Sequence, residues 1–342
     1  MAVSHIGNKL LISFFVIVTS TACKHFVAES VPLSNTVQAA LYDSTSVFFA
    51  DFASYGELKS LPIGIFDADT TSMALLEAFE SLDCYNNVTG EEEIDGIPDF
   101  AGEYFQYYTS TDDNKCFEST IFLMKNNYWN SVDKNRSKIV IAGGNISSKN
   151  GLDDMIAVTE NSGTGVKVIT AVEAGVRAVF DELSSDIGSD FTVAVLCKNS
   201  TIISGAYSES FKKVATERNL TPRISLVFQP ISIKIVDSVQ IFQKDIETLV
   251  KKLMADDSKS QLKFLIMDGM DEELINAANE IFDRYRNTFI NGTYLYRNIL
   301  SDNILCINPS VCAAKECYQI LRNDNNLALR ITDQRVDYFY GI

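Results

Sequence analysis

Short apolar runs alternate with longer amphipathic segments along most of the chain. The runs are rich in β-branched residues and are bounded by polar or glycine-containing segments, which is the pattern of parallel strands covered on both faces. They lie at residues 63–66, 139–142, 166–170, 191–196, 224–228, 264–267 and 304–307. Segments with helical spacing lie between them, at residues 71–81, 175–183, 206–217, 238–254 and 272–285. This βαβ alternation predicts an α/β fold with mainly parallel sheets and a site at the carboxyl ends of the strands.

Residues 86–113 interrupt this alternation. The segment is polar and acidic, with the run Glu91-Glu-Glu93 and the turn-forming sequence Asp95-Gly-Ile-Pro98. Such a composition is typical of a loop, because these residues favour turns and supply few apolar side chains for a core. We therefore expect a long surface loop or insertion here.

The first 23 residues have the pattern of an export signal. Lys9 precedes the apolar run 10–18, and the small residues 19–22 precede Cys23. The run is short for a membrane span and suits a signal peptide of residues 1–22. Cys23 after Ala22 resembles the lipobox of bacterial lipoproteins, although Ser20 stands where Leu or Val is usual. We expect lipidation at Cys23 and a periplasmic or outer-membrane location, with cleavage and free secretion as the alternative.

Composition and charge exclude several classes of function. The chain has 342 residues, 46% of them apolar, and a formal net charge of −16, so a sizeable core is expected and a nucleic-acid partner is not. The only histidines are His5 and His25, which excludes a Ser-His-Asp or Cys-His mechanism and the usual His-containing metal sites in the folded body. No metal and no cofactor is expected.

Four segments resemble the aspartate/glutamate racemase family, in the order that the family has them. Leu61-Pro-Ile-Gly-Ile-Phe-Asp67 is similar to its opening strand, Pro-Ile-Gly-Val-Phe-Asp-Ser-Gly. The other three are Ile169-Thr-Ala-Val-Glu-Ala-Gly-Val-Arg-Ala178, Val195-Leu-Cys-Lys-Asn-Ser-Thr-Ile-Ile-Ser-Gly-Ala-Tyr207 and Ile307-Asn-Pro-Ser-Val-Cys-Ala-Ala-Lys-Glu-Cys-Tyr318. The resemblance spans residues 60–325 and implies two pseudo-symmetric lobes, each with a mainly parallel sheet flanked by helices, and a cleft between them.

The resemblance also divides the chain. It implies a first lobe of residues 58–165 plus 300–342 and a second lobe of residues 166–299. Residues 23–57 would then form a tether and N-terminal extension. The acidic segment 86–113 and Phe48-Phe-Ala-Asp-Phe52 look most like exported members of the family from Bacteroidetes.

The family's chemistry depends on two cysteines, one on each face of the substrate Cα, and this chain lacks both. The first position corresponds to Gly143, in Ala142-Gly-Gly-Asn145, and the second lies near Asp268, where the Thr and His that normally follow the cysteine are also missing. Asp67 is retained, but Ala68 replaces its usual serine neighbour. The family's Pro-Tyr-Gly loop has no counterpart at residues 109–117. The two-thiol racemase mechanism is therefore expected to be lost.

Three residues are candidate remnants of a catalytic site, each with a structural alternative. Asp67 is a site remnant or caps a helix that begins near Thr71. Asp268 is a replacement acid or base, or else caps the helix that begins near residue 272. Cys197 is a displaced thiol or is simply buried.

The remaining candidates concern ligand binding. Gly143, Gly144 and Asn145 form either an amide nest for an anion or an ordinary glycine turn. Glu173, Ser200 and Thr201 are expected to line the same cleft.

The sequence thus predicts an exported, lipid-anchored protein that binds or interacts without catalysis. The expected ligand is an acidic amino acid or a peptidoglycan-derived fragment, and membrane contact is expected through the lipid anchor. The alternative is a divergent, cofactor-independent amino-acid racemase that uses Asp268 and Cys197. Neither the oligomeric state nor a disulfide pattern follows from the sequence.

Overall fold

The computed structural model describes residues 32–67, 73–110, 115–126, 134–144, 151–183, 190–221, 223–231, 238–255, 260–329 and 333–340. From Leu33 onward they belong to one compact unit. The expected signal peptide, the expected lipidation site Cys23 and the ligand candidate Asn145 lie outside the described residues, and the predictions about them stand as made.

Helices and strands alternate through this unit. The helices are α1 (Asn35–Tyr42), α2 (Ala74–Ser81), α3 (Cys116–Met124), α4 (Leu152–Asn161), α5 (Ala171–Glu182), α6 (Asn199–Ser204), α7 (Ala206–Glu217), α8 (Ser238–Ala255), α9 (Glu272–Arg286) and α10 (Pro309–Asn323). The strands are β1 (Ile63–Asp67), β2 (Tyr104–Thr109), β3 (Ile139–Ala142), β4 (Val168–Thr170), β5 (Phe191–Cys197), β6 (Ile224–Pro230), β7 (Gln261–Met267), β8 (Phe289–Ile290), β9 (Thr293–Tyr294), β10 (Leu300–Ile307) and β11 (Arg335–Tyr340). None of the described helices combines the length and the apolar character that crossing a bilayer requires.

Two parallel sheets organise the fold. The first has the strand order β11-β2-β1-β3-β4 and the second has the order β10-β7-β5-β6, and every pairing within them is parallel. Strands β8 and β9 form a separate antiparallel hairpin. The predicted α/β class with parallel sheets flanked by helices is confirmed.

The division of the chain between the sheets differs from the expected lobe boundaries. Strand β4, expected in the second lobe, pairs with β3 in the first sheet. Strand β10, expected in the first lobe, pairs with β7 in the second sheet. Apolar patterning marks both segments as strands, but it carries no information about which neighbour each strand pairs with.

Strand β1 shows why the apolar runs become strands covered on both faces. Ile63 and Ile65 pack into one cluster with helix α2, while Phe66 points to the opposite cluster with helix α3. A Cβ atom at Gly64 would lie 2.4 Å from the Ser137 Oγ, so the neighbouring segment can approach only because this position is glycine. Burial of each such large side chain contributes about 1.5–3 kcal/mol.

The predicted surface loop at residues 86–113 is only partly a loop. Its second half contains β2, which lies between β11 and β1 and is largely buried. The sequence did not predict this strand because several of its residues are polar. Their hydrogen bonds are made inside the fold: the Gln106 side-chain amide, for example, donates to the Asn135 carbonyl over 2.9 Å. The first half is held by carboxylates: Asp99 accepts from the backbone N–H groups of Cys84 and Tyr85 at 2.8 and 3.1 Å.

A buried ion pair fixes the end of the first sheet. The Lys138 ammonium, directly before β3, lies 2.9 and 2.7 Å from the two Glu103 carboxylate oxygens and also donates to the Asn326 carbonyl over 2.9 Å. The Ala328 N–H donates to the same carboxylate over 2.7 Å. The Arg335 N–H then bonds to the Glu103 carbonyl over 3.2 Å, which places β11 beside β2.

Helices α5 and α10 join the two halves of the fold. Helix α5 begins at Ala171, earlier than the predicted residue 175, because Thr170 caps it by accepting from the Glu173 N–H over 3.1 Å. Its buried residues belong to the core clusters of both sheets. A Cβ atom at Gly175 would lie 3.1 Å from the Pro309 ring of α10, so glycine allows the close approach of the two helices.

Asp271, and not Asp268, caps helix α9. Its Oδ1 accepts from the Leu274 N–H over 2.9 Å, so the capping role considered for Asp268 is wrong. The error arose because both aspartates precede an acidic first turn. We expect Asp271→Ala to lower the free energy of unfolding by about 1 kcal/mol in urea denaturation, because an orphan N–H loses its acceptor. Asp271→Asn, which keeps an acceptor, is the control, and equal stability of the two variants would contradict the prediction.

Candidate functional site

In the first sheet, Asp67 and Gly143 lie side by side at the carboxyl ends of neighbouring strands. Phe66 pairs with Ala142 across β1 and β3, so the residues that follow them meet at one edge. The Gly143 N–H donates to the Phe66 carbonyl over 2.8 Å, which extends the ladder past the end of β3. The sequence motifs therefore bring these two candidates together.

The space at Gly143 is already filled. A Cβ atom built there would lie 2.7 Å from the Leu75 Cδ2 and 3.2 Å from both the Asp67 Cγ and Oδ1. Real Cβ contacts of 2.7 Å do not occur, so any side chain at residue 143 requires its neighbours to move. The buried carboxyl group of Asp67 and the Leu75 methyl group thus take the place of a side chain at residue 143.

The amide nest considered as one alternative for Gly143 and Gly144 loses one of its donors to the sheet. The Gly143 N–H is committed to the Phe66 carbonyl, and a nest requires successive N–H groups that converge on one anion. Gly144 has φ +77°, in the left-handed region that glycine adopts without strain. The geometry favours the ordinary glycine turn.

The helix-capping role considered for Asp67 does not fit helix α2. That helix begins at Ala74, beyond the predicted start at Thr71, and Met73 occupies its N-cap position. Asp67 instead packs its carboxyl group against Gly143, while its carbonyl accepts from the Ser110 N–H over 3.4 Å.

In the second sheet, the ends of β5 and β7 bring Cys197 and Asp268 together. Leu196 pairs with Met267, and the Asp268 N–H donates to the Leu196 carbonyl over 2.9 Å. The buried Thr201 hydroxyl donates to the Asp268 Oδ2 over 3.5 Å. Three candidates from two separate segments therefore share one cluster.

The Cys197 thiol is in a poor environment for acid–base chemistry. The residue has no exposed surface, and burial, followed by the charge of Asp268, raises the pKa of its thiol. A thiol is a base or nucleophile only as the thiolate, which both effects disfavour. Cys197 therefore fits the structural alternative, a buried thiol at a strand end.

Two buried hydroxyl groups lack hydrogen-bond partners among the described residues, and the sequence did not single out either. Thr109 lies at the end of β2 in register with Asp67, and its Oγ1 is unpartnered. The Tyr207 hydroxyl also has no partner of normal geometry, although the Asp268 carboxylate is near enough for its charge and hydrogen bonding to add to the effect of burial in raising the pKa of Tyr207. Such groups are uncommon in folded proteins. A signal for Tyr207 was present, because it is the last residue of the third family-like segment.

We expect Tyr207→Phe to keep or raise the stability of the unliganded protein. A buried, unpartnered hydroxyl costs about 1–3 kcal/mol, and phenylalanine removes it with little change in shape. The measurement is the urea midpoint, with Tyr42→Phe at an exposed tyrosine as the control. A loss of 1 kcal/mol or more would show that the Tyr207 hydroxyl makes a stabilising hydrogen bond.

Glu173 belongs to an ion-pair network, and Ser200 lies on the surface. The Glu173 carboxylate bonds to Arg177 and Lys213 at 3.1 and 2.7 Å, and Arg177 continues to Glu316 at 2.9 Å. This network links α5, α7 and α10. Ser200 is exposed on α6. Among the described residues no group of three or more His, Cys, Asp or Glu is arranged to hold a metal ion.

Comparison with known proteins bears on the fold. No protein-family model matches this chain, and no curated protein matches it. Among solved structures, a glutamate racemase from Francisella tularensis in complex with D-glutamate is 17% identical, covers 83% of this chain and 89% of its own, and has a TM-score of 0.50.

Two further glutamate racemases have similar coverage. An isoform from Bacillus anthracis is 14% identical, with 82% of this chain and 89% of that chain covered and a TM-score of 0.48. One from Campylobacter jejuni is 14% identical, with 82% and 93% covered and a TM-score of 0.46. At these identities the likeness concerns the fold alone: the chain has a glutamate racemase-like α/β fold with two parallel sheets.

Proposed function

We propose that this chain is a divergent member of the aspartate/glutamate racemase family that binds a small amino-acid-type ligand without racemising it. The observation that carries the proposal is the filled space at Gly143. Asp67 and Leu75 occupy the place where a first thiol would have to stand. A cysteine at residue 143 would therefore require the Leu75 methyl group to shift and would press against the Asp67 carboxyl group.

Racemisation through two groups needs a proton acceptor on one face of the substrate Cα and a proton donor on the other. The first sheet offers Asp67 and no thiol at residue 143. The second offers Asp268 and a Cys197 thiol whose pKa is raised by burial. These residues therefore include no thiol suited to proton transfer, which supports binding over catalysis.

Two buried hydroxyl groups near candidate carboxylates support a ligand. The Thr109 and Tyr207 hydroxyls have no partner of normal hydrogen-bond geometry among the described residues; Thr109 ends β2 in register with Asp67, and Tyr207, on α7, lies near Asp268. A carboxylate pairs with a ligand ammonium group, and a hydroxyl donates to a ligand carboxylate. The ligand class we propose is an acidic amino acid or a peptidoglycan-derived fragment that carries both groups.

We also propose that the protein is exported and held at a membrane by a lipid on Cys23, as a periplasmic or outer-membrane lipoprotein. The charged, apolar and small-residue order of residues 9–22 supports this location. Metabolic labelling with a radioactive fatty acid tests it: the unaltered chain should incorporate label and Cys23→Ser should not.

Isothermal titration with both enantiomers of glutamate and of aspartate tests binding. We expect heat with at least one ligand, a matching thermal shift, and at least a ten-fold weaker affinity in Asp67→Asn, since a charge-assisted hydrogen bond contributes about 1.5–3 kcal/mol. Asp333→Asn, at an exposed aspartate, is the matched control. Absence of heat and of thermal shift with all four ligands would refute an acidic amino acid as the ligand.

Incubation of the same protein with each enantiomer in D2O tests catalysis. We expect no deuterium at Cα by NMR after long incubation. The alternative, a divergent racemase that uses Asp268 and Cys197, is supported by the proximity of these side chains. However, both come from adjacent strands of the second sheet, and the two faces of a Cα require groups on opposite sides. Deuterium incorporation that is lost in Asp268→Asn would establish the alternative.

A further inference from the structure

The hairpin of β8 and β9 projects apolar side chains into solvent. Phe289, Ile290, Tyr294 and Leu295 are 57%, 47%, 44% and 39% exposed, and the residues between them are exposed as well. Large exposed apolar side chains grouped within one short segment indicate an interaction surface, whereas scattered ones do not. We name residues 289–295 the apolar hairpin.

The apolar hairpin is a defined structure. Its turn residues Asn291 and Gly292 have φ values of +52° and +85°, which is the pattern of a two-residue hairpin turn with both φ angles positive. The rings of Phe289 and Tyr294 meet edge to face at 4.9 Å, and the Arg297 guanidinium stacks over Tyr294 at 3.6 Å from the ring centroid. The exposed side chains are therefore held in place by their neighbours.

The charge around the apolar hairpin is opposite to that of the chain. Residues 284–301 contain three arginines, Arg284, Arg286 and Arg297, and no acidic residue, whereas the chain as a whole has a formal net charge of −16. Arg286 is paired with Asp283 one turn earlier on α9. The exposed Arg284 and the stacked Arg297 leave a local positive charge beside the apolar side chains.

We infer that the apolar hairpin docks on a membrane surface that contains anionic lipid. A lipid surface supplies an apolar layer for Phe289 and Ile290, an interfacial layer for Tyr294, and phosphate groups for the arginines, all within a few ångströms of depth. The acidic body would be repelled by such a surface, whereas the apolar hairpin and its neighbouring arginines suit contact with it. The inference concerns a surface separate from the proposed ligand site and does not depend on ligand binding.

The test places a fluorescent reporter on the apolar hairpin of the full chain. The sequence contains a single tryptophan, Trp129, so Trp129→Phe gives a dark background for Ile290→Trp. Val88→Trp, at an 86% exposed position in a different loop, is the matched control. Both tryptophan variants keep the same N-terminal segment, so any contribution of that segment to membrane binding is equal in the two. Vesicles of phosphatidylglycerol with phosphatidylethanolamine, with bromine-labelled acyl chains as quencher, are compared with phosphatidylcholine vesicles.

Docking predicts a blue shift and bromine quenching for Ile290→Trp on the anionic vesicles, and neither change for Val88→Trp. Arg284→Gln should weaken this docking roughly five-fold, since one basic residue near an anionic surface contributes about 1 kcal/mol, and Lys212→Gln on α7 should leave it unchanged. Equal signals from the two tryptophan positions, or no signal from either, would overturn the inference. A blue shift without vesicles that grows with protein concentration would also overturn it, because the partner would then be a second copy of the chain.

Discussion

Lys138→Met is expected to lower the free energy of unfolding by about 3–5 kcal/mol, because it leaves the Glu103 carboxylate buried without its ammonium partner. Both side chains are almost entirely buried, at 0% and 2% exposed, and their oxygen–nitrogen distance is 2.7 Å. Removal of one member of a buried ion pair leaves an uncompensated buried charge and lowers the free energy of unfolding strongly. Replacement of both members by apolar residues is often neutral for stability. Urea denaturation at neutral pH measures the loss.

Two control variants test whether the loss of stability in Lys138→Met comes from the burial of the ion pair. Lys167→Met breaks an ion pair with Asp324 whose members are 50% and 40% exposed, and it should cost no more than about 1 kcal/mol. Glu103→Gln added to Lys138→Met removes the unpaired charge, keeps an acceptor for the Ala328 N–H, and should recover most of the stability. Equal losses for Lys138→Met and Lys167→Met would contradict a special role for the buried pair.

The pH dependence of Lys138→Met follows from the same carboxyl group. Burial raises the pKa of Glu103, against the opposing effects of Lys138, and removal of Lys138 should raise it further. A carboxyl group whose folded pKa exceeds its unfolded value contributes stability below the unfolded pKa, and that contribution is lost as the pH rises through the folded pKa. The stability gap between the unaltered protein and the variant should therefore narrow as the pH falls from about 7 toward 4.5.

Gly143→Cys is expected to destabilise the fold by about 1–3 kcal/mol and to confer no racemase activity. The new Cβ would meet the Leu75 Cδ2 at 2.7 Å, and the thiol would compete with the Asp67 carboxyl group for the same space. The combination of Gly143→Cys with Asp268→Cys should likewise give no deuterium exchange at the substrate Cα. Urea denaturation and NMR in D2O are the measurements.

Leu75→Val tests the physical cause of this destabilisation. The shorter side chain removes the methyl group that a cysteine at residue 143 would strike, so the double variant should lose less stability than the sum of the two single variants. A coupling of at least about 0.5 kcal/mol is expected for residues in direct contact. Additive losses, or exchange activity in the double-cysteine variant, would show that residue 143 has room for a thiol.

The strands that the sequence predicts well are those covered on both faces. The apolar runs predict the bounds of β1 and β3 to within one residue, because every position in these strands is buried and few of their residues are polar. Strand β2 escaped prediction since Gln106 and Thr109 read as loop residues, although tertiary contacts bury both. Strand β11 was missed for the opposite reason: it lies at a sheet edge and half of its residues are exposed.

The sequence also indicated which residues at strand ends are candidates for a site, but not what each side chain contacts there. The sequence named Asp67, Gly143, Cys197 and Asp268 as separate candidates, and the sheet registers bring Asp67 beside Gly143 and Cys197 beside Asp268. The sequence did not show that the Gly143 N–H donates to the Phe66 carbonyl, or that Asp271 caps helix α9. The first outcome depends on contact between segments far apart in the chain, which spacing along a sequence does not contain. The second is local, but two aspartates three residues apart precede the same acidic first turn, so the sequence does not distinguish them.

The attachment of β11 has a consequence for the order in which the protein can be assembled during synthesis. Tyr104 of β2 bonds to Asp337 of β11, 233 positions later, and the Glu103–Lys138 pair is covered by Asn326 and Ala328. While a ribosome is still translating the second sheet, the first sheet lacks its edge strand and has two charged side chains without their cover. The first sheet is therefore completed only when these late residues have emerged from the ribosome.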